Sequence, residues 1–263
     1  MLTQIEKDFV EFLSSRGEKK VLEKYLKTKA TLDFGSDRFR EFCSINYQAL
    51  QVFFNDESES SAIVAYKYFA CQDLLRMLSY SFQRPPNLIS YLRTGIQKLK
   101  SGRLQRARVE KEQALNRMLA SKESHVIVDY GCGLGYLSFD LAKRAPGSRV
   151  VLVDIDTIKF EFAIFRFQKH GIPVTPIFVT EAAPYPVLPS HTICIAQEVI
   201  EHLHDPLAAY GNIRNGLQKG GYLYGDFDDH GSGHFHVSPN LARFRAALKE
   251  DFHFAGGYLY RKK

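Results

Sequence analysis

A chain of 263 residues with 45% hydrophobic and 24% charged residues is long enough to bury a core and too apolar for a disordered polymer. No run approaches the roughly 18 to 20 apolar residues of a membrane span, and the start MLTQIEKDFVEF mixes charges into an amphipathic pattern unlike a signal peptide, so a cytoplasmic protein is expected. The net charge of +6 is local: residues 1–121 hold 20 Lys/Arg against 14 Asp/Glu, and the rest hold 15 against 15.

From residue 3 to about 120 the apolar residues recur at helical spacing, as in Leu22, Tyr25, Leu26 and in Leu74, Leu75, Leu78. Breaks fall at DFGSD, at the acidic NDESES and at QRPPN, where Pro85 and Pro86 cannot continue a helix. Residues 1–120 are therefore expected to form a helical region, a lid or a surface for substrate or partner. Its aromatic residues Tyr80, Phe82 and Tyr91 suit an apolar acceptor as well as helix packing. The basic stretch from Arg93 to Arg108 reads as a solvated helix face or as a surface for phosphate, a lipid headgroup or an acidic partner. The four cysteines include no CxxC pair, so neither zinc nor a redox centre is expected.

After residue 124 the character changes. HVIVDYG, RVVLVDID, PVTPIFV, HTICIAQ and GYLYGDF are short apolar runs separated by helical patterns, which predicts a mostly parallel sheet with helices on both faces. FHFAGGYLYRKK predicts an antiparallel hairpin that completes the sheet. TIKFEFAIFRFQKHG alternates Phe160 and Phe162 like a strand, but its length and its place after a strand predict a helix with its phenylalanines in the core. Ligands of such sheets bind at the carboxyl ends of the strands.

The first strand ends in Gly131, Cys132, Gly133, Leu134 and Gly135, a turn that lets backbone approach a ligand. A P-loop needs Gly-Lys-Ser/Thr, and residues 123–142 contain no lysine or arginine. A dinucleotide fingerprint wants a small residue where this chain has Tyr136. A ligand with an adenosine and no phosphate fits better.

VDYGCGLG, VVLVDID, IAQEVIEHLHDP and LQKGGYLYGDF, in this order, resemble the class I methyltransferases that use S-adenosylmethionine, and most closely the ubiquinone-pathway O-methyltransferase type. The resemblance covers roughly residues 123–263, within a domain expected over residues 121–263, and implies a Rossmann-like seven-stranded sheet, S-adenosylmethionine as cofactor and S-adenosylhomocysteine as product. Asp129 and the backbone of Gly131, Cys132, Gly133 and Gly135 would take the methionine end. Asp154, 19 positions after Gly135, would accept from the ribose hydroxyls, with Asp156 a weaker candidate. Ile155 would lie against the adenine, Glu181 near its amino group and Gln197 near the methionine.

For proton removal from the acceptor, His234 and His236 are candidates, and His202 a further one that could equally serve as a cap. The expected acceptor is a small molecule methylated at oxygen or nitrogen, with no metal. One alternative places Glu198 and Glu201 one turn apart on a helix, holding a divalent metal with His202 and a later histidine such as His236. That arrangement resembles the metal-dependent enzymes that methylate the 3′-terminal ribose of small RNAs, and would make nucleic acid a partner. Another alternative is a non-catalytic interaction protein that only binds the cofactor.

Overall fold

A computed structural model of the protein describes residues 4–17, 112–120, 124–227 and 241–263. The breaks at DFGSD, NDESES and QRPPN, the Arg93–Arg108 stretch, and Tyr80, Phe82, Tyr91, His234 and His236 lie outside the described residues. The elements are α1 (Gln4–Ser15), α2 (112–119), β1 (Val126–Tyr130), α3 (Tyr136–Arg144), β2 (Arg149–Ile155), α4 (Ile158–Lys169), β3 (Val174–Val179), β4 (His191–Ile195), a 3-10 turn (Ile200–His202), α5 (Pro206–Gly216), β5 (Leu217–Tyr224), α6 (Ala242–Asp251), β6 (Phe252–Gly256) and β7 (Leu259–Lys262). Among the described residues no helix is long and apolar enough to cross a membrane.

The strands form one sheet in the order β3-β2-β1-β4-β5-β7-β6, with β7 antiparallel to both neighbours and the other pairings parallel. This is the expected doubly wound sheet with its closing hairpin. The order reverses between β1 and β4, which opens a crevice at their carboxyl ends. β5 begins at Leu217, earlier than GYLYGDF suggests, because an irregularity opposite His191 and Ile193 absorbs the extra residues around Gly220, at φ +75°.

Alternation along each strand divides the core in two, as a two-residue period requires. Val128, Tyr130, Val151, Val153 and Cys194 face α5 and α6, where Tyr210, Ile213 and Phe244 meet them. Ile127, Val150, Leu152, Ile193 and Ile195 face α3, α4 and α2, which contributes Ala114, Leu115 and Met118.

The phenylalanine-rich segment is the helix α4, and two apolar sides account for its strand-like alternation. Phe160, Ala163 and Phe167 pack on the sheet, while Phe162 meets Phe9 and Phe12 of α1 at ring separations of 5.2 and 5.5 Å. Thr157 caps the helix by accepting from the Phe160 N–H.

Candidate cofactor site

The site grows from the end of β1. Gly131 and Cys132 donate their N–H groups to the carbonyl of Val153, so the strand pairing runs into the turn before the chain leaves the sheet. Gly135 then precedes α3 with φ +61° and no side-chain cap, leaving the first N–H groups of that helix to other acceptors.

The three glycines are small for different reasons. At Gly131 a Cβ would stand 2.3 Å from Val199 Cγ2, and at Gly135 it would stand 2.8 Å from the ring of Phe167, so these two positions are closed by the protein's own packing. At Gly133, among the described residues, a Cβ would meet only Lys159, with Cε at 3.6 Å and Nζ at 3.8 Å. A Cβ at Gly133 would therefore meet one flexible side chain at ordinary contact distance, whereas Gly131 and Gly135 on either side admit none.

Asp154 lies beside Gly133. Its Oδ2 accepts the Gly133 N–H at 2.7 Å and its Oδ1 the Ile155 N–H at 2.8 Å, which fixes the carboxylate beside the turn. Burial raises its carboxyl above the usual range, against the pull of the Gly133 N–H and the Lys159 charge. Asp129 is 5% exposed and sits under the turn, accepting from the Ser138 hydroxyl at 2.5 Å. Burial pushes its carboxyl up to about 7, with Asp154 adding to the rise and Ser138 opposing it. Burial together with the neighbouring Asp154 and Asp129 charges raises the Cys132 thiol well above its ordinary value, so it is held as a thiol beside Asp154.

Ile155, half-buried, continues β2 past Asp154 and pairs in register with Val179, which places the exposed Glu181 just beyond the neighbouring strand end. Asp156 is exposed. Gln197 is exposed past the end of β4, whose Ile195 is in register with Asp129. All the expected cofactor residues thus share one edge of the sheet. The tightest grouping is Asp129, Cys132, Gly133 and Asp154.

Tertiary structure adds groups that no local motif marks. The segment around the turn lacks cations, yet Lys159 enters from α4 and lies over Gly133. Ser138 secures Asp129, Val199 rests on Gly131, and Leu134 of the turn joins Phe9, Phe12 and Leu13 of α1 in one cluster.

Glu198, Glu201 and His202 do not form the helical array that a metal site would need. Glu198 is exposed with φ +53°, outside the helix, while Glu201 is 2% exposed inside a single 3-10 turn, so the two carboxylates do not share a face. Among the described residues no group of three or more His, Cys, Asp or Glu is arranged to hold a metal. Among the described residues, both Glu201 carboxylate oxygens lack a hydrogen-bond partner, and its Oε1 is 3.9 Å from His202 Nε2.

A family profile described as "Methyltransferase domain" matches residues 121–258, just over half of the chain. The chain is 26% identical over 151 residues to a malonyl-[acyl-carrier protein] O-methyltransferase of Acetivibrio thermocellus, covering 56% of this chain and 52% of that one. It is 22% identical over 118 residues to an (S)-coclaurine N-methyltransferase of Thalictrum flavum subsp. glaucum, covering 45% of this chain and 33% of the other. It thus spans about half the length of the first relative and a third of the second. Among solved structures, the N-methyltransferase NodS of Bradyrhizobium japonicum WM9 is 19% identical with a TM-score of 0.44, the match covering 59% of this chain and 96% of that one. With the sheet order and the profile match together, the chain belongs to the methyltransferase-domain family, the class I fold that takes its methyl group from S-adenosylmethionine.

Proposed function

We propose that the protein transfers a methyl group from S-adenosylmethionine to a small-molecule acceptor, at oxygen or nitrogen. The observation that carries this reading is the Asp154 carboxylate fixed 2.7 Å from the N–H of Gly133, the one glycine of the turn that the packing of the described residues does not crowd. Such a place suits a ribose, whose hydroxyls can donate to the remaining lone pairs of the carboxylate. The cofactor supplies an activated methyl on a sulfonium. The chain's part is alignment and proton management.

Asp154 holds the ribose, Ile155 lies along the adenine, Glu181 stands near the adenine amino group, and Gln197 reaches the methionine end. Asp129 keeps the turn in shape through Ser138 and adds negative potential beneath it, which suits an ammonium and a sulfonium. Lys159 offsets part of that potential at the ribose end.

For the proton on the acceptor, His202 with Glu201 is the proposed base among the described residues. The Glu201 carboxylate, 3.9 Å from the imidazole, is a neighbour able to orient the ring. His234 and His236 keep the role of acceptor-pocket residues on sequence grounds.

The likeness to the ubiquinone-pathway type rests on EVIEHLHDP, and the two curated relatives, one methylating at oxygen and one at nitrogen by name, support a small-molecule acceptor at that coarser level. Residues 1–120 are proposed as the lid and acceptor region of the domain that follows. Free Cys132 and Cys194 suit a reducing compartment such as the cytosol.

Calorimetric titration with S-adenosylmethionine and S-adenosylhomocysteine, with and without a chelator, tests the reading. Micromolar binding unchanged by the chelator is expected. Absence of binding under every condition would overturn it.

A further inference from the structure

The first helix carries a buried carboxylate in an otherwise apolar contact. Asp8 is fully buried beside Phe9, while Lys7, the lysine of α1, is exposed. Its partners come from α4 and the residue after it. Lys169 Nζ lies at 3.0 Å, His170 Nε2 at 2.9 Å and Arg166 Nε at 3.7 Å, and Gln4 donates to it at 2.9 Å from within α1. Lys169 also bonds Glu11, and Arg16 pairs with Glu161 at the other end of the contact. Burial raises the Asp8 carboxyl, but His170, Gln4 and Lys169 together hold it below its ordinary value.

An ion cluster is a costly way to dock a helix that already presents three buried apolar side chains, since apolar groups of the same volume often stabilise as much or more. What distinguishes this contact is its far side. The cluster that α1 forms with Phe162 includes Leu134, which stands between Gly133 and Gly135 in the cofactor turn. A second route starts from Arg166, whose guanidinium lies 3.9 Å from the ring centre of Phe139 and 5.6 Å from that of Tyr136, the residue that follows Gly135. Both routes from Asp8 end at the turn.

We infer that Asp8 is a positioning residue for the cofactor: by clamping α1 to α4 it presses Phe9, Phe12 and Leu13 on Leu134, and so sets the shape of the turn at Gly133. This rests on the cofactor reading above. By linkage, if a docked α1 favours the cofactor, the bound cofactor favours a docked α1 by the same factor.

Hydrogen exchange and calorimetry on the full chain test the inference. In the wild-type protein, saturating S-adenosylhomocysteine is expected to slow amide exchange in residues 4–15. Asp8→Asn is expected to weaken S-adenosylhomocysteine binding about tenfold, within the usual range of such couplings. Asp8→Glu should recover part of that loss, and Arg16→Ala should leave affinity within about twofold because its pair is exposed. Exchange in α1 that ignores the ligand, or an Asp8→Asn protein that binds as tightly as wild type, would overturn the inference. Should Asp8→Asn fail to fold, the wild-type exchange experiment decides alone. A wild-type protein that does not bind the ligand removes the cofactor reading itself, a result distinct from binding that is indifferent to α1.

Discussion

At the scale of single residues, Asp154 and the glycines separate what the fold needs from what the ligand needs. Asp154→Ala removes the carboxylate beside Gly133 without disturbing an apolar core, so calorimetry should show cofactor binding abolished while circular dichroism stays that of wild type. Gly131→Ala drives a Cβ into Val199 and keeps φ at +67°, and should cost roughly 2 to 3 kcal/mol in urea unfolding. Gly133→Ala has room for its methyl and should cost only about 1 kcal/mol from its positive φ, yet it should weaken the cofactor the more of the two. Asp129 adds a pH signature. Its carboxyl is raised from 3.8 to about 7 in the folded protein, so the folded state holds a proton that the unfolded chain has released. The stability this contributes is complete below pH 3.8 and is lost as pH rises towards about 7. Asp129→Asn should therefore flatten the dependence of melting temperature on pH across that window. Cofactor affinity in the wild type should rise as pH passes through about 7, because the ionised carboxylate favours the cationic ligand.

At the scale of elements, caps and two-sided packing determine what each helix does. Asp205 accepts from the N–H groups of Leu207 and Ala208, both at 3.0 Å, and Pro206 supplies the first residue of α5 with its φ already set. Asp205→Ala should lower stability by about 1 kcal/mol in urea melts and leave S-adenosylhomocysteine affinity unchanged, since α5 braces the sheet face away from Gly133. Tyr210 ties α5 to α6 by donating to Asp251 at 2.7 Å, and its hydroxyl is held well above the usual range by burial and by that carboxylate. α4 was legible as a helix from its length and position. That it has two covered sides was not legible, because Phe162 and Phe165 face a helix more than 140 residues earlier in the chain.

At the scale of the whole molecule, the glycine turn, the switch point and α1 converge on one edge of the sheet, so ligand binding should be felt globally. A ligand at about a hundred times its Kd stabilises the state that binds it by about 2.7 kcal/mol. Thermal unfolding of the wild-type protein should therefore shift upward with S-adenosylhomocysteine, and the same addition to Asp154→Ala should leave the transition where it was. The Glu198, Glu201 and His202 motif shows how spacing alone misleads. Three residues apart in a helix would put both carboxylates on one face, but a left-handed residue at Glu198 and a single 3-10 turn send one outward and one into the interior.

The sequence by itself determined the strand and helix order, the antiparallel close of the sheet, and the places of Gly133 and Asp154. Each of these follows from local period, turn chemistry, or a fixed distance between neighbouring strand ends. Only the tertiary structure decided that Val199 and Phe167 close the two ends of the turn, that Lys159 supplies a cation the turn itself lacks, that Asp8 pairs with Lys169 of α4, and that Leu134 of the turn packs with the first helix. These are contacts between segments far apart along the chain. Their partners are chosen by how helices pack on a sheet, and no local pattern encodes that choice.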